Sequence, residues 1–187
     1  MIAAFRSVLA RELRGYFLSP LAYVFLAVYL LVTGLSTWNL ARFFDTAIAS
    51  LSPFFQMQPW LLAIFIPAIG MRLWSEDLRA RTADLYFTAP VPMAVIHAAK
   101  FAAGMVMLGV ALLSTCPYWI SVNILGSPDN GIIILNYLAL AGLGGIFLLI
   151  TLVFSALSSQ QVIAFVLSTV ASLLLLSAGL PNVTGQL

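Results

Sequence analysis

Charge in this chain is confined to short gaps between long apolar runs, and that confinement limits what it can fold into more than any other feature. Seven of its eight Lys and Arg residues lie in two stretches, Arg6 to Arg14 and Arg72 to Lys100. The eighth, Arg42, sits in the gap between the first two apolar runs, so successive gaps alternate between basic and nearly uncharged. Loops on the cytoplasmic side of a membrane protein carry an excess of Lys and Arg, which places both basic stretches and the N-terminus in the cytoplasm. A composition of 63% hydrophobic and 7% charged residues, with a mean hydropathy of +1.08, is far from the roughly 25% charged residues of a globular domain. A water-soluble fold is excluded. The net charge of +2 does not mark a nucleic-acid binder, because the basic residues flank apolar runs and have no aromatic platform among them.

A hydrocarbon core of about 30 Å needs about 20 helical residues, and five runs qualify: about 18–38, 53–73, 101–120, 132–157 and 163–180. The first is too long for the apolar core of a cleaved signal peptide and reads as a retained anchor. Between the runs lie an outer loop with Arg42 and Asp45, the long basic segment, an outer turn from Gly126 to Gly131, and a polar inner turn from Ser158 to Gln161.

Ahead of the first run, Ile2, Phe5, Leu9, Leu13 and Tyr16 recur at helical steps, while Arg11 and Arg14 project from the other side. The pattern predicts an amphipathic helix lying on the inner membrane surface, with Phe5, Leu9 and Leu13 sunk toward lipid and Arg6, Arg11 and Arg14 toward headgroups. A plain start-of-span anchor fits the same residues.

The segment from Met71 to Pro90 carries six charges between Arg72 and Asp84. Each would cost about 2.5–3.5 kcal/mol at a bilayer centre, so they lie outside the hydrocarbon. Arg72 with Glu76 and Asp77 with Arg81 stand four apart and predict two ion pairs on one helical face. Trp74, Leu78 and Leu85 form a separate apolar stripe, and Pro90 and Pro92 stop the helix. This helix either rests on lipid as a simple connector or docks into a cytoplasmic partner.

The residues offer no catalytic or metal-binding set. All the acidic and basic residues read as lying in loops or the N-terminal segment, and His97 and Cys116 would be about 28 Å apart along one helix. No carboxylate pair, metal-ligand spacing or phosphate-binding G-x-x-x-x-G-K-[ST] loop is present, so the chain reads as a non-enzyme that binds no cofactor. Gly142, Gly144 and Gly145, and the alanines at 98, 99, 102 and 103, read as close helix packing. Pro59, Pro67 and Pro117 are expected to bend their helices or free backbone carbonyls.

Three stretches carry a resemblance. Arg11-Glu12-Leu13 followed by Tyr16-Phe17, Ser19-Pro20 and Ala22-Tyr23 form the first. Phe54-Phe55-Gln56-Met57 with Pro59-Trp60-Leu61 form the second. Pro67-Ala68, Met71-Arg72-Leu73-Trp74 and Glu76-Asp77 form the third. Together they resemble the permease subunit of type-2 ABC exporters, in the gliding-motility-type branch, over essentially the whole chain. The resemblance implies an all-α integral membrane protein forming a single permease domain over 1–187, with an interfacial elbow helix over 1–17 and a coupling segment over 74–90. Partner contacts would then come from Trp74, Glu76, Asp77, Arg79, Arg81, Thr82 and Asp84. It further implies a separate cytoplasmic ATPase subunit that holds ATP and Mg, a second permease copy or paralogue, and residence in a bacterial inner membrane. The family has six spans after the elbow, against five runs here, which reads as a truncated product and keeps open a non-transporting scaffold or regulatory subunit. Where the family has glycine before the threonine of the coupling segment, this chain has Arg81 before Thr82; where it has glutamate two residues on, this chain has Asp84.

Overall fold

The computed structural model describes residues 2–37, 51–82, 91–126 and 128–179. Among the described residues the secondary structure is helical, with no strand: α1 (Ile2–Phe17), α2 (Pro20–Leu35), α3 (Ser52–Gly70), α4 (Arg72–Arg79), α5 (Met93–Ser114), α6 (Cys116–Leu125), α7 (Asn130–Leu157) and α8 (Gln161–Ala178). The outer-loop residues Arg42 and Asp45, and the coupling-segment residue Asp84, lie outside the described residues.

Helix starts follow local chemistry. Pro20, Pro53 and Pro117 occupy the first turns of α2, α3 and α6, where the absent N–H has no intrahelical partner to lose. Asp129 caps α7 by accepting from the Gly131 and Ile132 amides at 2.9 and 3.4 Å, which satisfies two otherwise orphaned donors. Pro59 and Pro67 lie inside α3, which continues through both.

Among the described residues, four stretches are long and apolar enough to cross a membrane: Ser52–Arg79, Met93–Leu125, Asn130–Leu157 and Gln161–Ala178. A fifth follows if α1 and α2, bent by 68° at Leu18-Ser19, are taken as one broken span. The five apolar runs of the sequence thus become four to five crossings, because α2 alone has only 16 described helical residues, or about 24 Å. The second crossing extends past its predicted end. Met71 joins α3 to α4 through a single turn residue, so the charged helix continues the span rather than lying apart from it.

The outward faces are apolar, including Val24, Val28 and Leu31 on α2, Leu135 and Leu149 on α7, and Val166 and Val170 on α8. The interior is rich in small and polar residues: Ala63, Ala99, Ala103, Ala164, Ser168 and Thr151 are all fully buried. Small residues interleaved with large ones inside, and apolar side chains outside, suit a bundle solvated by lipid, where close backbone approach contributes to the packing. α5 and α7 meet by reciprocal insertion. A Cβ on Gly104 would come 2.6 Å from a Leu148 methyl, and one on Gly144 would come 2.6 Å from a Leu108 methyl. Of the predicted packing residues, Ala99, Ala103 and Gly144 are buried here, whereas Gly142 and Ala98 are exposed.

α2 docks on α3 through a polar contact inside an apolar seam. The Tyr29 hydroxyl donates to Gln58 Oε1 at 2.8 Å, and the Tyr29 ring stacks on Phe65 at 4.4 Å between centroids.

Candidate functional site

The ionic chemistry of the described residues gathers where α1, α4 and the first turns of α5 meet. A helix of 28 residues is about 42 Å long against a hydrocarbon core of about 30 Å, so the charged end of Ser52–Arg79 projects beyond the apolar layer. At its centre is Lys100, in the second turn of α5 and 0% exposed. Its ammonium donates to Glu12 Oε1 at 2.8 Å, to Asp77 Oδ2 at 2.6 Å and to the Leu73 carbonyl. Arg11 Nη2 bridges the same two carboxylates, 3.1 Å from Glu12 and 3.0 Å from Asp77. Among the described residues, two cations thus face two carboxylates. A buried charge is tolerable only when paired and hydrogen-bonded in this way. Burial pushes the Asp77 carboxyl up, but the hydrogen bond and charge of Lys100, joined by Arg11 and the Thr82 hydroxyl, outweigh it and hold the group below its ordinary value.

Neighbouring contacts fix the α3–α4 junction from three sides. The Tyr16 hydroxyl of α1 donates to the Ile69 carbonyl at 3.0 Å, and the Arg72 guanidinium lies over the Tyr16 ring. From α7, the Ser155 hydroxyl donates to the Met71 carbonyl at 2.7 Å and accepts from the Trp74 and Ser75 amides at 3.0 and 3.1 Å. Ser155 therefore caps the first turn of α4 in place of a side chain from the helix itself. From α5, Lys100 sits over the Trp74 ring, which packs against His97 at 4.7 Å.

α4 ends on a tight closure. The Arg81 amide donates to the Leu78 carbonyl at 3.2 Å and the Thr82 amide to the Asp77 carbonyl at 3.0 Å, with Arg81 at φ 55°. This is the Schellman arrangement, whose left-handed residue is usually glycine. The helix predicted to run on to the prolines stops instead at Arg79, and Thr82 Oγ1 reinforces the stop by donating to Asp77 Oδ1 at 2.9 Å.

Of the expected partner contacts, Glu76, Arg79 and Arg81 are exposed, Thr82 is half-buried, and Trp74 and Asp77 are buried within the chain. Arg72 and Glu76 form the predicted pair at 3.1 Å. The other predicted pair is corrected: Arg81 leaves the helical register in its left-handed conformation, and Asp77 is engaged by Arg11, Lys100 and Thr82. On α1, Arg6 and Arg14 are exposed, whereas Leu9 and Leu13 pack against the protein core and Phe5 is half-buried. The face expected to meet lipid is spent partly on α5, along which α1 lies.

Lys100 itself corrects the expectation that every charge belongs to a loop or to the N-terminal segment. Its sequence signal was available: no acidic residue stands within one turn of it, so a buried cation there needs partners from other helices. Among the described residues, no three His, Cys, Asp or Glu side chains converge on a metal-sized site.

The fold is that of an all-α membrane protein, and among the described residues four to five helical stretches are long and apolar enough to cross the bilayer. No family model, curated protein or solved structure matches the chain.

Proposed function

We propose that this chain is a permease subunit of an ATP-driven type-2 ABC exporter, and that α4 is where a separate cytoplasmic ATPase subunit pushes on it. The observation that carries this reading is the build of α4: a charged helix continuing a membrane span, bound on its inner side to α1, α5 and α7 and presenting Glu76 and Arg79 outward. A mere connector would not need its inner face fixed by three other helices. The resemblance in residues 11–23, 54–61 and 67–77 supplies the identity of the partner. In this scheme α1 is the interfacial elbow, a second permease copy or paralogue completes the path, and ATP and Mg stay with the ATPase. The permease makes no covalent bond. Nucleotide-driven closure of the ATPases displaces α4, and the spans reorient by alternating access in the inner membrane.

The test is affinity capture of the tagged chain in mild detergent, with mass spectrometry of what co-purifies. A P-loop ATPase should be recovered with the native chain and lost with Glu76→Ala plus Arg79→Ala. Recovery of the intact chain without an ATPase overturns the reading.

A further inference from the structure

We propose that Lys100 is a positioning residue that clamps α1 and α4 to α5, so that the three helices move as one body. Among the described residues, acceptors of the ammonium lie on α1 (Glu12) and on α4 (Asp77 and the Leu73 carbonyl). An ammonium has three donors, so acceptors on two other helices fix its direction, and the side chain is fully buried. The partners are 88 and 23 residues away in sequence, which makes the contact a tertiary tie rather than a local helix pair. Arg11 closes it from the solvent side, and the Trp74 ring covers it.

The tie lies part-way along α1, whose other polar anchors to this region are Arg11, bonded to Asp77 beside the tie, and Tyr16, near its C-terminal end. Without Lys100, α1 keeps Tyr16 and the Arg11–Asp77 pair, whose guanidinium is half-exposed and therefore holds weakly, so α1 pivots about Tyr16 and its first turns swing furthest. With Lys100 in place, a displacement of α4 reaches α1 and α5 together. This inference rests on the proposed function for what pushes on α4, but the tie itself is measurable without any partner.

The experiment measures spin-label distances on the full chain in lipid nanodiscs, in a Cys116→Ala background. One label pair joins α1 to α4 through Arg6→Cys and Arg79→Cys. A control pair joins α4 to α7 through Arg79→Cys and Leu157→Cys, across the junction held by Ser155. Two variants are compared with the native clamp: Lys100→Met, and the neutral set Lys100→Met, Glu12→Gln and Asp77→Asn, which leaves no uncompensated carboxylate and guards against simple misfolding. The α1–α4 distribution should broaden about twofold in both while the α4–α7 pair stays narrow, as expected when one discrete contact carries the coupling. A narrow α1–α4 distribution in the neutral set overturns the proposal, as does equal broadening of both pairs. Affinity capture is read separately: a failed docking reading leaves the native distances narrow, and a failed clamp leaves capture of the ATPase intact.

Discussion

The two ends of the bundle are held by different forces. At one end Lys100, Arg11, Glu12 and Asp77 join three helices through full charges. At the other, Phe54, Phe55, Tyr118, Trp119 and Tyr137 pack ring against ring, and neutral amides finish the work: Trp119 Nε1 donates to Asn130 Oδ1 at 2.7 Å, and Asn130 Nδ2 to Asn123 Oδ1 at 3.1 Å. Ion pairs depend on every partner being present, because one left alone is a buried charge. Ring packing is spread over many weak contacts, each of which can be lost singly.

Breaking the charged end should therefore cost more per residue than breaking the aromatic end. Lys100→Met leaves two carboxylates poorly compensated and should destabilise the protein by about 4 kcal/mol, read as a fall in the detergent unfolding midpoint. A loss no larger than that of an exposed substitution would show that the charges are solvated after all. Phe54→Ala, at a nearly fully buried ring, should cost about 3 kcal/mol through the cavity it leaves, measured in the same way. Arg81→Gly should act in the opposite direction: relieving a side chain from φ 55° should stabilise by about 1 kcal/mol, visible as a raised midpoint. Glu76→Ala removes an ion pair whose carboxylate is 54% exposed and should change stability by at most about 0.5 kcal/mol, an effect erased by salt. If it proved as large as that of Lys100→Met, the contrast between a buried tie and a surface pair would fail.

What the sequence disclosed divides along the same line. Apolar length located the crossings, since Pro53 to Leu73 falls within the stretch Ser52–Arg79 and Ile132 to Leu157 within α7, and hydropathy is a local sum. Spacing also found Arg72 with Glu76, because a four-residue step is fixed by helix geometry. Spacing could not find Lys100 with Glu12, which depends on how α1 folds back along α5. The left-handed Arg81 was half legible: the missing glycine stood out only through the resemblance, and the hydrogen bonds to Leu78 and Asp77 supply its physical reason. Ser155 gave no signal at all, being one hydroxyl among the many serines and threonines of apolar helices.

The paired insertions of Leu148 at Gly104 and Leu108 at Gly144 also decide which parts of the bundle can shift. They act like two dowels set in opposite directions across one joint. Sliding α5 along α7 by a turn would bring each leucine against a residue that has a Cβ, Lys100 or Leu108 in the case of Leu148, and leave both glycine notches empty. That seam is a fixed keel, and any rearrangement of the molecule must run through the helices hinged around it.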